Sequence, residues 1–149
     1  MFTKKDAQVP AQILQKLTPE QLKTVYNLAE NMANGFASSD IGKEALNSVW
    51  QKTEHGFKYL VQRSPKVIIN GNIDLLFEKS DGSITIVDYK TDSVENPSIH
   101  FAQIASYQQA VSKIFSKPVE EITCYIFYLR TSKAVDITKE CLQIDLQKF

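Results

Sequence analysis

Apolar positions along the chain change period twice, from helical spacing to alternation and back again. Thr18-Pro19-Glu20-Gln21 reads as a helix start. Thr18 can cap, Pro19 suits the first helical position, and Gln21 can reach back to complete a capping box. Leu22, Val25, Tyr26, Ala29, Met32 and Phe36 then recur at helical spacing and form one apolar stripe, whose default role is core packing. Ser38-Ser39-Asp40 offers a second cap, with a short helix to about Asn47. Residues Met1 to about Gln15 carry no clear periodicity and are expected to fray.

From Glu54 the period becomes two. Phe57, Tyr59 and Val61 alternate with Lys58, Leu60 and Gln62, and Val67-Ile68-Ile69 follows, so both stretches read as strands. Gly71 to Glu78 and Ile84 to Lys90 are two further apolar runs separated by Lys79-Ser80-Asp81-Gly82-Ser83. Asp-Gly between apolar runs is a strong short-range hairpin signal. A polar loop containing Pro97 precedes a helix from about Ile99 to Phe115. Tyr125 to Leu129 reads as a strongly apolar strand and Leu142 to Leu146 as a weaker last one. The order is helices, three strands in a meander, a long helix, then one or two strands. A helix joining strands of one sheet implies a crossover, so a mixed sheet with helices on both faces is expected, an α/β (α+β) fold.

The hairpin brings charge together. Folding about Asp81 places Asp74 opposite Asp88, where Cβ atoms lie roughly 4.5–5.5 Å apart. Alternation puts Asp88 and Lys90 on one face. Charged residues are rarely set inside strands this apolar without compensation. A divalent cation is the compensation to which the arrangement points, with phosphodiester hydrolysis as its chemistry. A salt-bridge cluster across the hairpin is the structural alternative.

Composition adds bounds. The 149 residues suffice for one domain with a real core, and 43% hydrophobic with 23% charged residues is an ordinary globular balance. No run of about 18 apolar residues exists, and the start of the chain lacks the apolar stretch of a secretory signal, so a cytoplasmic protein with no membrane partner is expected. Cys124 and Cys141 read as free buried thiols, and two cysteines cannot by themselves hold a four-cysteine iron–sulphur cluster. Seventeen basic residues balance seventeen acidic ones, which argues against a strong autonomous DNA binder. Tyr125, Phe127 and Tyr128 are expected in the core rather than stacking on bases.

GNIDLLFE, then IVDYKTD, then a helix containing Gln103-Ile104-Ala105-Ser106-Tyr107, resembles the PD-(D/E)XK nuclease domain, most closely that at the C-terminus of AddA and RecB helicase–nucleases. FASSDIGKEALNSVWQKTEHGF resembles AddA as well, and the likeness covers roughly Met32 to Leu129. It implies a restriction-endonuclease-like fold. Asp74, Asp88 and the backbone carbonyl of Tyr89 would be metal ligands, for Mg²⁺ or Mn²⁺. Lys90 would orient or deprotonate the attacking water or stabilise developing charge, and Gln103 and Tyr107 would line the site.

The implied partners are DNA, as single strands, together with helicase domains of the same parent chain and a partner nuclease/helicase subunit. The family's upstream G-T-x-x-H-x-x-L helix, whose histidine is a further ligand, has no counterpart here; the only histidines are His55 and His100. Truncation is the simplest expectation, with residues 1–149 a single nuclease domain at the C-terminus of a larger helicase–nuclease, weakly active or inactive in isolation. A free-standing exonuclease and a catalytically silent nuclease-like module are the alternatives.

Overall fold

A computed structural model describes residues 16–148, so the expected fraying of Met1 to Gln15 lies outside the described residues. Helix α1 (Pro19–Ser38) begins on the predicted capping box: Gln21 N–H donates to Thr18 Oγ1 at 3.1 Å and Thr18 N–H to Gln21 Oε1 at 2.9 Å. Ser39 caps α2 (Asp40–Leu46), its hydroxyl accepting from Gly42 N–H. The strands β1 (Trp50–Arg63), β2 (Lys66–Glu78) and β3 (Ile84–Lys90) form an antiparallel meander. Val67-Ile68-Ile69 and the Gly71–Glu78 run are thus one continuous strand.

A 3₁₀ turn (Pro97–His100) leads into α3 (Phe101–Phe115), which crosses over to β4 (Ile122–Tyr128), parallel to β3. Parallel neighbours need such a crossover, whereas the hairpins do not. The five-stranded sheet runs β1-β2-β3-β4-β5 and is mixed, as expected. Among the described residues no helix is long and apolar enough to cross a membrane.

Alternation divides the sheet's side chains between two cores. Ile84, Ile86, Ile122, Cys124 and Ile126 meet Ile104, Ala105, Ala110 and Val111 of α3 on one face. Leu75, Phe77, Val87 and Phe127 meet Ile41 and Ala45 of α2 and Phe36 of α1 on the other. Each such buried Ile, Leu or Phe contributes about 1.5–3 kcal/mol relative to exposure. Phe127 and Tyr128 lie in these cores, as expected for aromatic residues of a central strand. Cys124 and Cys141 are free and buried, and burial next to Cys141 pushes the Cys124 thiol well above its usual range.

The C-terminal region corrects the sequence reading. Leu142 to Leu146 is not a strand: Thr138–Leu142 is a short helix, α4, and Leu146 opens a 3₁₀ turn. The alternation of Ile144 and Leu146 has another cause, for these residues drape over the α3-side core from irregular backbone. The last strand is β5 (Lys133–Asp136), paired antiparallel to β4. With four residues and only Val135 half-buried, it leaves no alternating signal to read.

The β2–β3 connection positions the site. Gly82 N–H donates to Lys79 carbonyl and Lys79 N–H to Ser83 carbonyl, both at 2.9 Å, while Asp81 Oδ1 accepts from Ser83. Gly82 sits at φ +86°, where a side chain is strained. Gly82→Ala is therefore expected to lower the unfolding free energy by about 1–2 kcal/mol. Urea denaturation measures it, and an unchanged midpoint would show that the turn is not fixing the register.

Candidate active site

The register of β2 on β3 runs from Glu78↔Ile84 to Leu75↔Val87, and one further step sets Asp74 beside Asp88. Backbone pairing stops there because the Asp74 carboxylate takes over: its Oδ2 accepts from Tyr89 N–H at 2.8 Å. Asp88 is buried, at 4% exposure, and Lys90 lies on the same face with its Nζ 2.9 Å from Asp88 Oδ2. Alternation along β3 is the reason the two can meet. The contact is an ion pair rather than an aligned hydrogen bond, for Asp88 Oδ2 has no partner of acceptable angle.

From Lys90 the contacts continue onto α3. Lys90 Nζ lies 3.4 Å from Gln103 Oε1, and Gln103 Nε2 donates to the Tyr107 hydroxyl at 3.0 Å. Gln103 and Tyr107 are four residues apart and so share one helix face. The structure therefore brings Asp74, Asp88, Tyr89, Lys90, Gln103 and Tyr107 into one place, at the junction of β2, β3 and the first turns of α3. His55 and His100 stand apart from this chain of contacts. His55 faces Phe115 with ring centroids 6.3 Å apart, and His100 Nε2 lies 3.0 Å from Asp92 Oδ2.

Electrostatics follow the burial. Desolvation raises the Asp88 pKa above 3.8; the Lys90 ammonium opposes the rise, Asp74 adds to it and His100 opposes it weakly. Lys90 is desolvated too, which lowers its pKa, but Asp88, Asp74 and Asp92 together outweigh burial and the net shift is upward. Burial raises the Tyr107 hydroxyl, with Asp88 adding to it. The phenol therefore stays neutral and able to hydrogen-bond.

Two supports of the site were not legible as such in the sequence. Gly71 opens the G-x-I-D motif, and a Cβ there would lie 2.5 Å from the Phe57 ring and 2.7 Å from that of Tyr107. Those rings meet edge-to-face with centroids 5.3 Å apart, so the missing side chain is the space in which Tyr107 is held.

The second support is Glu54, at φ +50°, which falls opposite Asp74 where the β1–β2 pairing is interrupted between Thr53↔Leu75 and His55↔Ile73. At this point both strands change face. Trp50 stacks on Phe115 and Lys52 lies over it, then His55 and Phe57 take up the same side three positions on. In β2, Ile73 and Leu76 likewise share the α3-side core. Irregular backbone of this kind re-aims side chains next to a site.

The donor set fits a hard divalent cation. A buried carboxylate with a second carboxylate beside it would offer oxygen ligands, which suit Mg²⁺ or Mn²⁺ rather than zinc. Among the described residues no group of three or more His, Cys, Asp or Glu is placed to hold an ion. Mg²⁺ commonly uses only one or two carboxylates and keeps several waters, so two suffice.

Comparison with known proteins places the chain in a family. The PD-(D/E)XK nuclease superfamily matches residues 3–146. The chain is similar to an ATP-dependent helicase/nuclease subunit of Bacillus pumilus, 31% identical over 134 aligned residues that take in 74% of this chain and 10% of that protein. It is 30% identical to the like-named protein of a Thermoanaerobacter species, over 75% of this chain and 10% of the relative. It is 31% identical to that of Clostridium botulinum, over 62% of this chain and 8% of the relative. The chain thus spans about a tenth of the length of these curated relatives.

Gly71→Ala tests the support of Tyr107. The added methyl forces the Phe57 and Tyr107 rings aside, which is expected to cost about 1–3 kcal/mol of stability. Thermal or urea unfolding measures the loss, and a change in Tyr107 fluorescence should accompany it. Unaltered stability would show that the rings have room to spare.

Proposed function

The chain belongs to the PD-(D/E)XK nuclease superfamily, and on that footing we propose that it is a metal-dependent deoxyribonuclease domain acting as an exonuclease. In this reading it is the nuclease part of an ATP-dependent helicase–nuclease that processes double-strand breaks in the cytoplasm. A single strand of unwound DNA is its substrate, and helicase domains and a partner nuclease/helicase subunit work with it. One observation carries the reading: the buried Asp88 carboxylate stands beside Asp74 with the Lys90 ammonium 2.9 Å away, an arrangement that a bound cation would complete. The zero net charge fits a domain to which a motor delivers the strand.

Asp74, Asp88 and the Tyr89 carbonyl would hold the ion. When bound, Mg²⁺ or Mn²⁺ lowers the pKa of a water and polarises the scissile phosphate. The residues of the chain do the rest. Lys90, kept protonated by the three surrounding aspartates, presents a fixed positive charge to the phosphate and orients the attacking water. Gln103 fixes the Lys90 ammonium from the helix side, and Tyr107 fixes Gln103. Preorganisation of this kind removes the cost of rearranging dipoles during the reaction.

A second reading is favoured by one feature: among the described residues no group of three or more His, Cys, Asp or Glu is placed to hold an ion. A silent nuclease-like module would keep the fold without cutting. Digestion of end-labelled single-stranded DNA with Mg²⁺ or Mn²⁺ separates the two readings. Wild type is expected to shorten the strand, while Asp88→Ala and Lys90→Ala each lose about 10²-fold or more. Equal activity in all three contradicts the assignment, and no cleavage by wild type leaves the silent module or a domain that needs the rest of its parent chain, which cleavage by a longer parent chain tells apart.

Metal binding is also expected to depend on pH. Asp88 must ionise to bind a cation, and its pKa is raised, so the folded apo protein holds that proton more tightly than the unfolded chain does. Apo stability contributed by Asp88 is therefore greatest at acid pH and is lost as pH rises through the raised value. The melting-temperature gain from Mn²⁺ grows over the same interval and then levels off. Thermal melts with and without Mn²⁺ from acid to neutral pH measure the gain. A constant gain would mean that Asp88 is not a ligand.

A further inference from the structure

The β1–β2 pair outgrows the sheet. β2 pairs with β3 only from Leu75 to Glu78, whereas its pairing with β1 runs on through His55↔Ile73 to Arg63↔Lys66. Beyond the face change at Glu54 and Asp74 the two strands stand as a ribbon of roughly 25–30 Å, taking about 3.3 Å per residue. It packs on the domain at its root, through Phe57 against Tyr107 and through Ile69 against the α3-side core. A two-stranded ribbon is marginal in water on its own, and this one carries exposed Leu60, Val67 and Ile68 besides exposed Lys58, Arg63, Lys66 and Asn70.

Charge distinguishes it. From His55 to Ile73 there are three basic residues, Lys58, Arg63 and Lys66, and no Asp or Glu. The rest of the chain carries fourteen basic against seventeen acidic residues, so the ribbon is positive on a domain that is otherwise negative. The ribbon is rooted at Asp74. Near that root lies an open groove of about 500 Å³, lined by Gly56, Phe57, Lys58, Asn70 and Gly71. A Cβ on Gly56 would meet only the Gly71 carbonyl, at 3.9 Å, so the backbone there is bare enough for a chain to lie against it.

We propose that the β1–β2 ribbon is an arm that holds a single DNA strand as it reaches the Asp74–Asp88 site, with Lys58, Arg63 and Lys66 neutralising its phosphates. The proposal rests on the DNA-cleaving reading and names where the strand lies. A protein strand adding to the ribbon edge would need no such segregation of charge; a polyanion does. Neutralising phosphates releases counterions, so affinity must fall with salt in proportion to the contacts made.

The test is binding of a fluorophore-labelled single-stranded oligonucleotide to the full chain in EDTA, by anisotropy across a salt series. Lys58→Gln, Arg63→Gln and Lys66→Gln together should weaken binding at least tenfold at low salt. They should also reduce the slope of log affinity against log salt by about 2, from about 0.7 per phosphate contact on a single strand. A matched control, Lys23→Gln with Lys43→Gln and Lys113→Gln, removes the same charge from exposed helix positions and should change the slope little. The proposal is overturned if wild type does not bind, if the ribbon variant binds as wild type, or if both triple variants weaken binding equally. A wild-type chain that binds through the ribbon yet, with Mn²⁺, cuts neither end-labelled single-stranded DNA nor a nitrophenyl ester of thymidine monophosphate sinks the nuclease reading and upholds the arm.

Discussion

Asp74 and Asp88 are held side by side by the pairing of β2 and β3, against the repulsion of like charges and the cost of burying them. The turn at Asp81-Gly82 fixes that register, and a slip of one residue would turn Asp88 and Lys90 to the opposite face and Val87 into their place. The apolar neighbours enforce it, because Ile86 and Val87 belong to opposite cores and neither can exchange faces without exposing a branched side chain to the wrong layer. The same packing that stabilises the sheet thus holds the unfavourable pair in place. Lys90, 2.9 Å from Asp88 Oδ2, offsets part of the repulsion, and a cation bound between the carboxylates would offset more of it.

The parallel crossover supplies the second half of the site. β3 and β4 run in the same direction, so the chain must leave the end of β3, cross one face and return. That path puts the first turns of α3 directly beyond Lys90, where Gln103 reaches back to it and Tyr107 holds Gln103. Gly71 and Phe57, from the other side, set the position of the Tyr107 ring. Three elements distant in sequence therefore share the task of keeping one ammonium in place.

These contributions were unequally visible in the sequence. Asp74, Asp88 and Lys90 were legible because a hairpin is a short-range object: the apolar runs and Asp81-Gly82 determine which residues face each other. The capping box at Thr18 and Gln21 was legible for the same reason. Gln103 and Tyr107 entered through the family resemblance, since helical periodicity alone gives them no partner. The role of Gly71 was hidden because its space is filled by rings from β1 and α3, and the face change at Glu54 because one positive φ leaves no mark in composition. β5 was too short to show a period, and Ile144 and Leu146 imitated one while packing from irregular backbone.

The central claim is that Asp74 and Asp88 act as one site for a divalent cation. Calorimetric titration of Mn²⁺ into wild type, Asp74→Asn, Asp88→Asn and the double variant tests it most directly. Shared coordination predicts saturable binding in wild type, with each single substitution costing nearly as much affinity as both together, a strongly non-additive cycle. Unchanged Mn²⁺ binding in either single variant, or losses that simply add, would contradict it.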